Sequence, residues 1–318
     1  YMGTPWTRDA TVRADVVTMA PEVAGRIVEL PIADNKYVHK GDLLMVIDPT
    51  NYAIAVSQSN AAVQLAQAGI QNVDAQIEVQ HAQTSASQAQ VDQAQATLVF
   101  AQQQAARFQD LAQRGAGSVE NAQQFTSQLH QQEAALETAK ANLQLAKRQL
   151  ASLTAQRASA EASLAQVKAQ HGQAQVNFER TRILSPVDGY VTNLLARLGD
   201  YVNVGVDTIS VVDANSFWVD GYFEETNVGR IRVGNPTRIK LMGHDQILHG
   251  HVDSIARAIN VSNAQPNNQG VATVNPIFTW VRLAQRLPVR IDIDEVPPGV
   301  VLAAGMTATV EVDDRAHH

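Results

Sequence analysis

Between residues 51 and 182 the apolar positions recur with a period of seven. In the first arm Val56, Val63, Ile70, Ile77, Val91 and Leu98 keep the phase, with Thr84 filling the gap. Ala66, Val73, Ala94, Ala101 and Phe108 hold the position three residues further on. In the second arm Leu129, Leu136, Leu143, Leu150, Leu164 and Phe178 hold one seam position, interrupted at Arg157 and His171. Phe125, Ala139, Ala146, Leu153, Ala160, Val167 and Ala174 supply the other. Sustained a/d heptads predict a left-handed coiled coil. The segment has no proline, glycine only at Gly69, Gly115, Gly117 and Gly172, and an excess of alanine and glutamine, all of which favour helix.

The heptads break once, at Arg114-Gly115-Ala116-Gly117-Ser118. Two glycines this close end a helix, and Ser118 with Glu120 and Asn121 behind it can cap the next one. The break sits at the midpoint of the segment, so the arms match at about 60 residues, or roughly 90 Å each at 1.5 Å per residue. Equal arms around a sharp turn predict an antiparallel hairpin with its tip at residues 114–118. The outer faces carry alanine and glutamine with few charges, which points to packing against sister hairpins rather than to a merely solvated surface.

On either side of the helical segment the period changes to two, and one pattern occurs twice. Gly25-Arg26-Ile27-Val28, Asn35-Lys36-Tyr37-Val38 and Gly41-Asp42-Leu43-Leu44 are matched by Gly189-Tyr190-Val191-Thr192, Gly199-Asp200-Tyr201-Val202 and Gly205-Val206-Asp207-Thr208, at a constant offset of 164. Short β-branched runs separated by Gly or Asn predict strands and tight turns. Neither half is large enough to bury a core alone. The two are therefore expected to superpose and to pack face to face as one β-sandwich, residues 21–48 against residues 185–212, so the chain between them must leave and return to one place.

After Asp213 regularly spaced runs predict a small antiparallel barrel: residues 217–223, 237–241, 250–255, 278–283, 287–293 and 306–312, with a polar loop over 261–275. Residues 11–17 supply a further strand of it. The expected boundaries are 1–19 for an N-terminal strand joining the barrel, 20–49 and 183–213 for the two halves, 50–182 for the hairpin, 214–314 for the barrel and 315–318 for a tail resembling the stub of an affinity tag.

Composition narrows the function. Cysteine is absent, which excludes disulfides and thiolate chemistry. A net charge of −7 argues against a nucleic-acid partner. No nucleophile elbow, P-loop, zincin or dinucleotide motif occurs, so no catalytic residue and no cofactor is assigned. His249 and His251, with His244 nearby, share a strand face, but no carboxylate cluster completes a metal site, and none is assigned. Asp42, Asp48, Asp188 and Asp200 flank turns, where Asp bonds backbone amides.

The split half-motifs around Gly25 and Gly189, the heptad hairpin between them and the following strands resemble the periplasmic adaptor, or membrane fusion, proteins of the HlyD/EmrA type, over nearly the whole chain. Thr4-Pro5-Trp6-Thr7-Arg8-Asp9-Ala10, Phe223-Glu224-Glu225-Thr226 and the run from Trp280 to Ile291 resemble its aromatic-acid efflux branch. The resemblance implies an α+β, multidomain, elongated fold: a long antiparallel coiled-coil α-hairpin inserted in a split lipoyl-like β-sandwich, plus a small antiparallel β-barrel. True lipoyl carriers bear a modified lysine on the turn joining their halves. Here that turn is the hairpin, and Lys36 and Lys40 lie inside the first half, so no carrier function is expected.

The same resemblance implies a non-enzymatic periplasmic subunit of a tripartite pump, anchored to the inner membrane by an N-terminal transmembrane helix. Its implied partners are an inner-membrane transporter, a TolC-like outer-membrane channel and two or five further copies of itself, as trimer or hexamer, exporting drugs or aromatic acids. Family members engage the channel through an Arg-x3-Leu-x6-Ser pattern at the hairpin tip, which Arg107, Leu111 and Ser118 match, beside the turn glycines Gly115 and Gly117. The competing reading is a ligand-binding or scaffold module of the envelope in which the hairpin is a spacer.

Overall fold

The computed structural model describes residues 4–259 and 284–314, and the expected strand at 278–283 and loop at 261–275 lie outside them. The described chain divides into two compact units, residues 49–179 and the segments on either side of them.

The first unit is the hairpin. Helix α1 runs Thr50–Gln113 and helix α2 Val119–Glu179. The heptad seam is the buried face of both: Val63, Leu98, Ala101 and Ala105 on α1 and Leu136, Ala139, Leu143 and Ala146 on α2 are at most 9% exposed. Alanine at half of these positions lets the two backbones approach closely. The polar seam residues are satisfied across the interface. Asp74 accepts a hydrogen bond from Arg157, which also pairs with Glu161, and both acids raise the guanidinium above its ordinary pKa, Asp74 more than Glu161. Ser59 Oγ lies 3.0 Å from His171 Nδ1. Gln80 donates Nε2 to the Ala146 carbonyl at 3.0 Å and to Gln149 Oε1 at 3.3 Å. The two apparent interruptions of the second arm are thus layers with matched partners. Phe178 departs from the expected seam: it is 38% exposed near the end of α2.

The second unit holds a sandwich and a barrel. Strands β2 (Val16–Met19), β3 (Gly25–Glu29), β4 (Tyr37–Val38) and β5 (Leu43–Ile47) precede the hairpin, and β6 (Arg182–Leu184), β7 (Gly189–Thr192), β8 (Tyr201–Val202) and β9 (Ile209–Asp213) follow it. The sheets have the orders β2-β9-β7-β4 and β6-β5-β3-β8. The expectation of one half facing the other is therefore corrected, because each sheet takes two strands from each side of the hairpin. The exchange keeps the repeat in register. Tyr37 opposes Tyr190 and Val38 opposes Gly189, while 164 residues on Tyr201 opposes Arg26 and Val202 opposes Gly25. Met19 opposes Ile209 as Ile183 opposes Met45, so the repeat begins one strand earlier than the sequence motif. The physical reason is that two-residue strands cannot pair usefully within their own half, and the exchanged partner supplies the missing ladder.

Two further boundaries move. The run expected as one barrel strand over 11–17 is divided at Ala14-Asp15: β1 (Trp6–Arg13) enters the barrel, whereas β2 pairs with β9. Asp15 fixes the break, since its amide donates to Ser216 Oγ at 2.8 Å and its carbonyl accepts from Asp213. Residues 180–182 leave the expected hairpin, because the Thr181 carbonyl accepts from Ile47 N at 2.7 Å and Arg182 starts β6.

The barrel closes in the order β1-β10-β13-β12-β11-β14, with β10 (Trp218–Glu224), β11 (Pro236–Leu241), β12 (Ile247–Ile255), β13 (Arg286–Glu295) and β14 (Thr307–Val312). Alternation sends Val12, Val219, Phe223, Ile239, Leu248 and Ile291 inward, all 1% exposed or less.

Gly25 and Gly189 are equivalent in the repeat, and neither has free room for a side chain. A Cβ on Gly25 would meet Ile47 Cγ2 at 2.6 Å, and one on Gly189 would meet the Val212 carbonyl oxygen at 1.9 Å. A side-chain methyl can turn away and a backbone carbonyl cannot. Gly189→Ala is expected to destabilise the second unit by about 3 kcal/mol or more and Gly25→Ala by about 1–2 kcal/mol, in urea unfolding followed by Tyr and Trp fluorescence. Equal losses would show that the sheet, and not the close carbonyl, sets the cost.

Candidate functional site

The three residues of the expected tip motif lie around the turn of the hairpin, and the turn is built by backbone geometry. Gly115 has φ +73°, and the amides of Gly115 and Ala116 donate to the carbonyls of Ala112 (3.1 Å) and Leu111 (2.9 Å). This pair of bonds is the Schellman closure of α1 and requires a residue tolerant of positive φ at Gly115. The chain then passes directly over the helix it has left. A Cβ on Gly117 would lie 3.1 Å from Leu111 Cβ, so the second glycine allows close approach and the first allows the turn. Ser118 Oγ accepts from Glu120 N at 3.1 Å and caps α2, with Glu120 in its acidic first turn.

Arg107 and Ser118 are exposed, and Leu111 is half-buried under Gly117. Arg107 and Leu111, four residues apart, share one face of the last turns of α1. Behind them the arms are locked by stacking of Phe108 on Phe125, with centroids 4.1 Å apart and planes at 10°, and by Gln109 Nε2 donating to Thr126 Oγ1 at 3.1 Å. Arg114 pairs with Asp110 at 3.0 Å. The result is a rigid end carrying an exposed guanidinium, a partly covered leucine and a hydroxyl. The cap at Ser118 is the one expected from the sequence, whereas the cover of Gly117 over Leu111 is a close backbone approach that the three-residue spacing did not reveal.

Other candidates have local roles. His249 and His251 point outward from β12, and His251 Nδ1 lies 2.6 Å from Asp294 Oδ1. Among the described residues no group of three or more His, Cys, Asp or Glu side chains is assembled. Asp42 accepts from His39 N at 2.8 Å and Asp200 from Arg197 N at 2.9 Å, as turn formers do. Asp188 instead accepts from Lys40 N at 2.7 Å and ties one half-motif to the other. A wide-mouthed cleft of about 520 Å³ on the barrel is lined by Trp6, Arg8, Tyr222 and Arg286. Within it Arg286 pairs with Asp9 at 2.7 Å and Arg8 lies 5.3 Å from the Trp6 ring centre.

Residues 15–214 match the family model described as RND MFP, barrel-sandwich hybrid domain. The chain belongs to the membrane fusion protein family. Residues 216–313 match a second model, the AAEA-like beta-barrel domain. The boundary at residue 15 coincides with the point at which the chain passes from barrel to sandwich. The chain is 38% identical over 312 residues to YdhJ, an uncharacterized protein of Escherichia coli K12, covering 98% of this chain and 90% of that one. Two solved structures share the fold: the membrane fusion protein Spr0693 from Streptococcus pneumoniae R6, with TM-score 0.54, 17% identity and 96% of each chain covered, and MacA from Actinobacillus actinomycetemcomitans, with TM-score 0.51, 19% identity, 98% of this chain and 80% of the other. The expected membership of the family and its α+β class are borne out. Among the described residues no helix is long and apolar enough to cross a membrane.

Ser118→Ala removes the cap of α2 and is expected to lower hairpin stability by about 1 kcal/mol, whereas Ser118→Asp keeps an acceptor and leaves it unchanged. Thermal unfolding followed by helical circular dichroism measures both. Equal stability of Ser118→Ala and the parent would mean the bond to Glu120 N contributes nothing.

Proposed function

We propose that this membrane fusion protein is the periplasmic adaptor of a tripartite efflux system, joining an inner-membrane transporter to a TolC-like outer-membrane channel through its hairpin tip. The observation that carries this reading is the tip itself. A 64-residue and a 61-residue helix keep one seam up to a turn that is capped on both sides and presents Arg107, Leu111 and Ser118 together. A spacer would need the helices but not an ordered, partly apolar end. Arg107 supplies up to five donors for carbonyl or carboxylate acceptors on the channel, Leu111 buries its remaining surface, and Ser118 adds a hydroxyl. The transporter supplies the energy, and the adaptor assembles as a trimer or hexamer because a sealed conduit needs a closed ring. It carries out no catalysis. Drugs or aromatic acids are the proposed cargo, the latter supported by the AAEA-like match over residues 216–313. An N-terminal transmembrane helix anchoring the chain in the inner membrane belongs to the same proposal.

Arg107→Asp is expected to abolish both export in cells and crosslinking of the tip to the channel, with no change in helical melting, since Arg107 is exposed. Leu111→Ser has the same functional effect with a loss of about 1 kcal/mol, because Leu111 is only half-buried. Leu143→Ser, in the seam at 9% exposure, instead costs roughly 2–5 kcal/mol of hairpin stability. Normal export by both tip variants would remove the tip from the proposal and leave the hairpin a spacer.

A further inference from the structure

The repeat supplies an internal comparison for the surface of the sandwich. In its second half Leu195, Leu198, Tyr201, Val204 and Val206 lie close together in the chain, and each is 55–66% exposed. At the offset of 164 their counterparts in the first half are Pro31, Asp34, Tyr37, Lys40 and Asp42. One half is thus apolar where the other is largely polar, on an equivalent backbone, so the fold does not require the apolar residues. Exposed apolar side chains scattered singly are ordinary, whereas a cluster of them marks an interaction site.

The paired tyrosines differ in the same sense. The Tyr37 ring packs edge-on against Tyr190 and His39, with centroids 5.0 and 5.1 Å away. The equivalents of those two partners are Arg26 and Asn203, and Tyr201 has no ring partner among the described residues. Leu195, Tyr201 and Val206 instead border a cleft of about 360 Å³, a volume suited to a small molecule. Its only charged lining residues are Asp200 and Asp207; neither Arg26 nor Arg197 lines it. Asp200 Oδ2 accepts from Arg197 N at 2.9 Å. The Asp207 side chain has no hydrogen bond or ion pair among the described residues. Lys36 stands at the position equivalent to Asp200, so the charge is reversed between the halves. Apolar walls, an unstacked phenol ring and two carboxylates are complementary to an organic cation: the ring face and the carboxylates attract positive charge, and leucine and valine cover hydrocarbon.

We propose that this cleft in the second half of the sandwich is a binding site for a lipophilic cation, an ammonium or phosphonium carrying aromatic or branched aliphatic groups. An anion of the same shape is repelled by Asp200 and Asp207. The first half, with Lys36 and Lys40 at the equivalent positions of Asp200 and Val204, offers no second site. The proposal goes beyond the adaptor reading and does not depend on the hairpin tip.

Tetraphenylphosphonium and tetraphenylborate, nearly identical in shape and opposite in charge, give a direct test. In equilibrium dialysis against the full chain the phosphonium is expected to bind at a single site and the borate not to bind. Asp207→Asn and Tyr201→Ala are each expected to weaken phosphonium binding about three- to tenfold. Both side chains are exposed, so thermal unfolding stays unchanged. Asp207→Lys is expected to abolish phosphonium binding altogether. Equal binding of the two ions would overturn the proposal, as would phosphonium binding that neither Asp207→Asn nor Tyr201→Ala weakens. Sedimentation of the same samples reads the competing occupant. A concentration-dependent dimer that Leu198→Asp dissolves would mean that a second copy covers the apolar cluster, and would overturn the proposal as well.

Discussion

The rest of the structure depends on the pairing of the strand that leads into the hairpin with the strand that leaves it. β5 and β6 are separated in sequence by the whole helical segment, yet Leu43 opposes Leu184, and Ile47 N donates to the Thr181 carbonyl. Holding both ends of so long an insertion carries a loop-closure cost that grows only with the logarithm of its length. The coiled coil offsets that cost by pairing its own arms along one seam. A small sandwich can therefore carry an insertion larger than itself, provided the insertion folds back on itself.

The repeat explains how so small a sandwich is stable. Strands of two residues, such as β4 and β8, could not hold a sheet within their own half. Exchange places each against a longer strand of the other half, with the same register on both sides of the pseudo-twofold. Asp188, accepting from Lys40 N, adds a bond between halves at a place where a turn-forming role was expected. Each sheet is completed only by strands from both halves, so the two ends of the hairpin must come together for the sandwich to form.

In the hairpin, polar residues set register where apolar ones cannot. A seam of alanine and leucine would tolerate sliding by one heptad. Asp74 with Arg157, and Ser59 with His171, are satisfied in one alignment only, and sliding would leave partly covered polar groups without partners. That alignment carries Phe108 onto Phe125 beside the capped turn, so polar layers about 40 to 55 residues from the tip are in register with the arrangement of Arg107, Leu111 and Ser118.

The sequence by itself determined the features that depend on local periodicity: the two helical arms, the turn at Gly115 and Gly117, the repeat at an offset of 164, and the alternating strands of the barrel. These follow from side-chain spacing and from the few residues that permit a tight turn, and a one-dimensional pattern carries both. The tertiary structure decided which strand pairs with which, that residues 16–19 leave the barrel for the sandwich, that Arg157 and His171 are satisfied layers, and that Leu111 lies half-covered beneath Gly117. Each of these depends on a partner distant in sequence, or on a close backbone approach. Short strands and single polar side chains have many partners of equal local merit, and only packing of the whole chain selects among them.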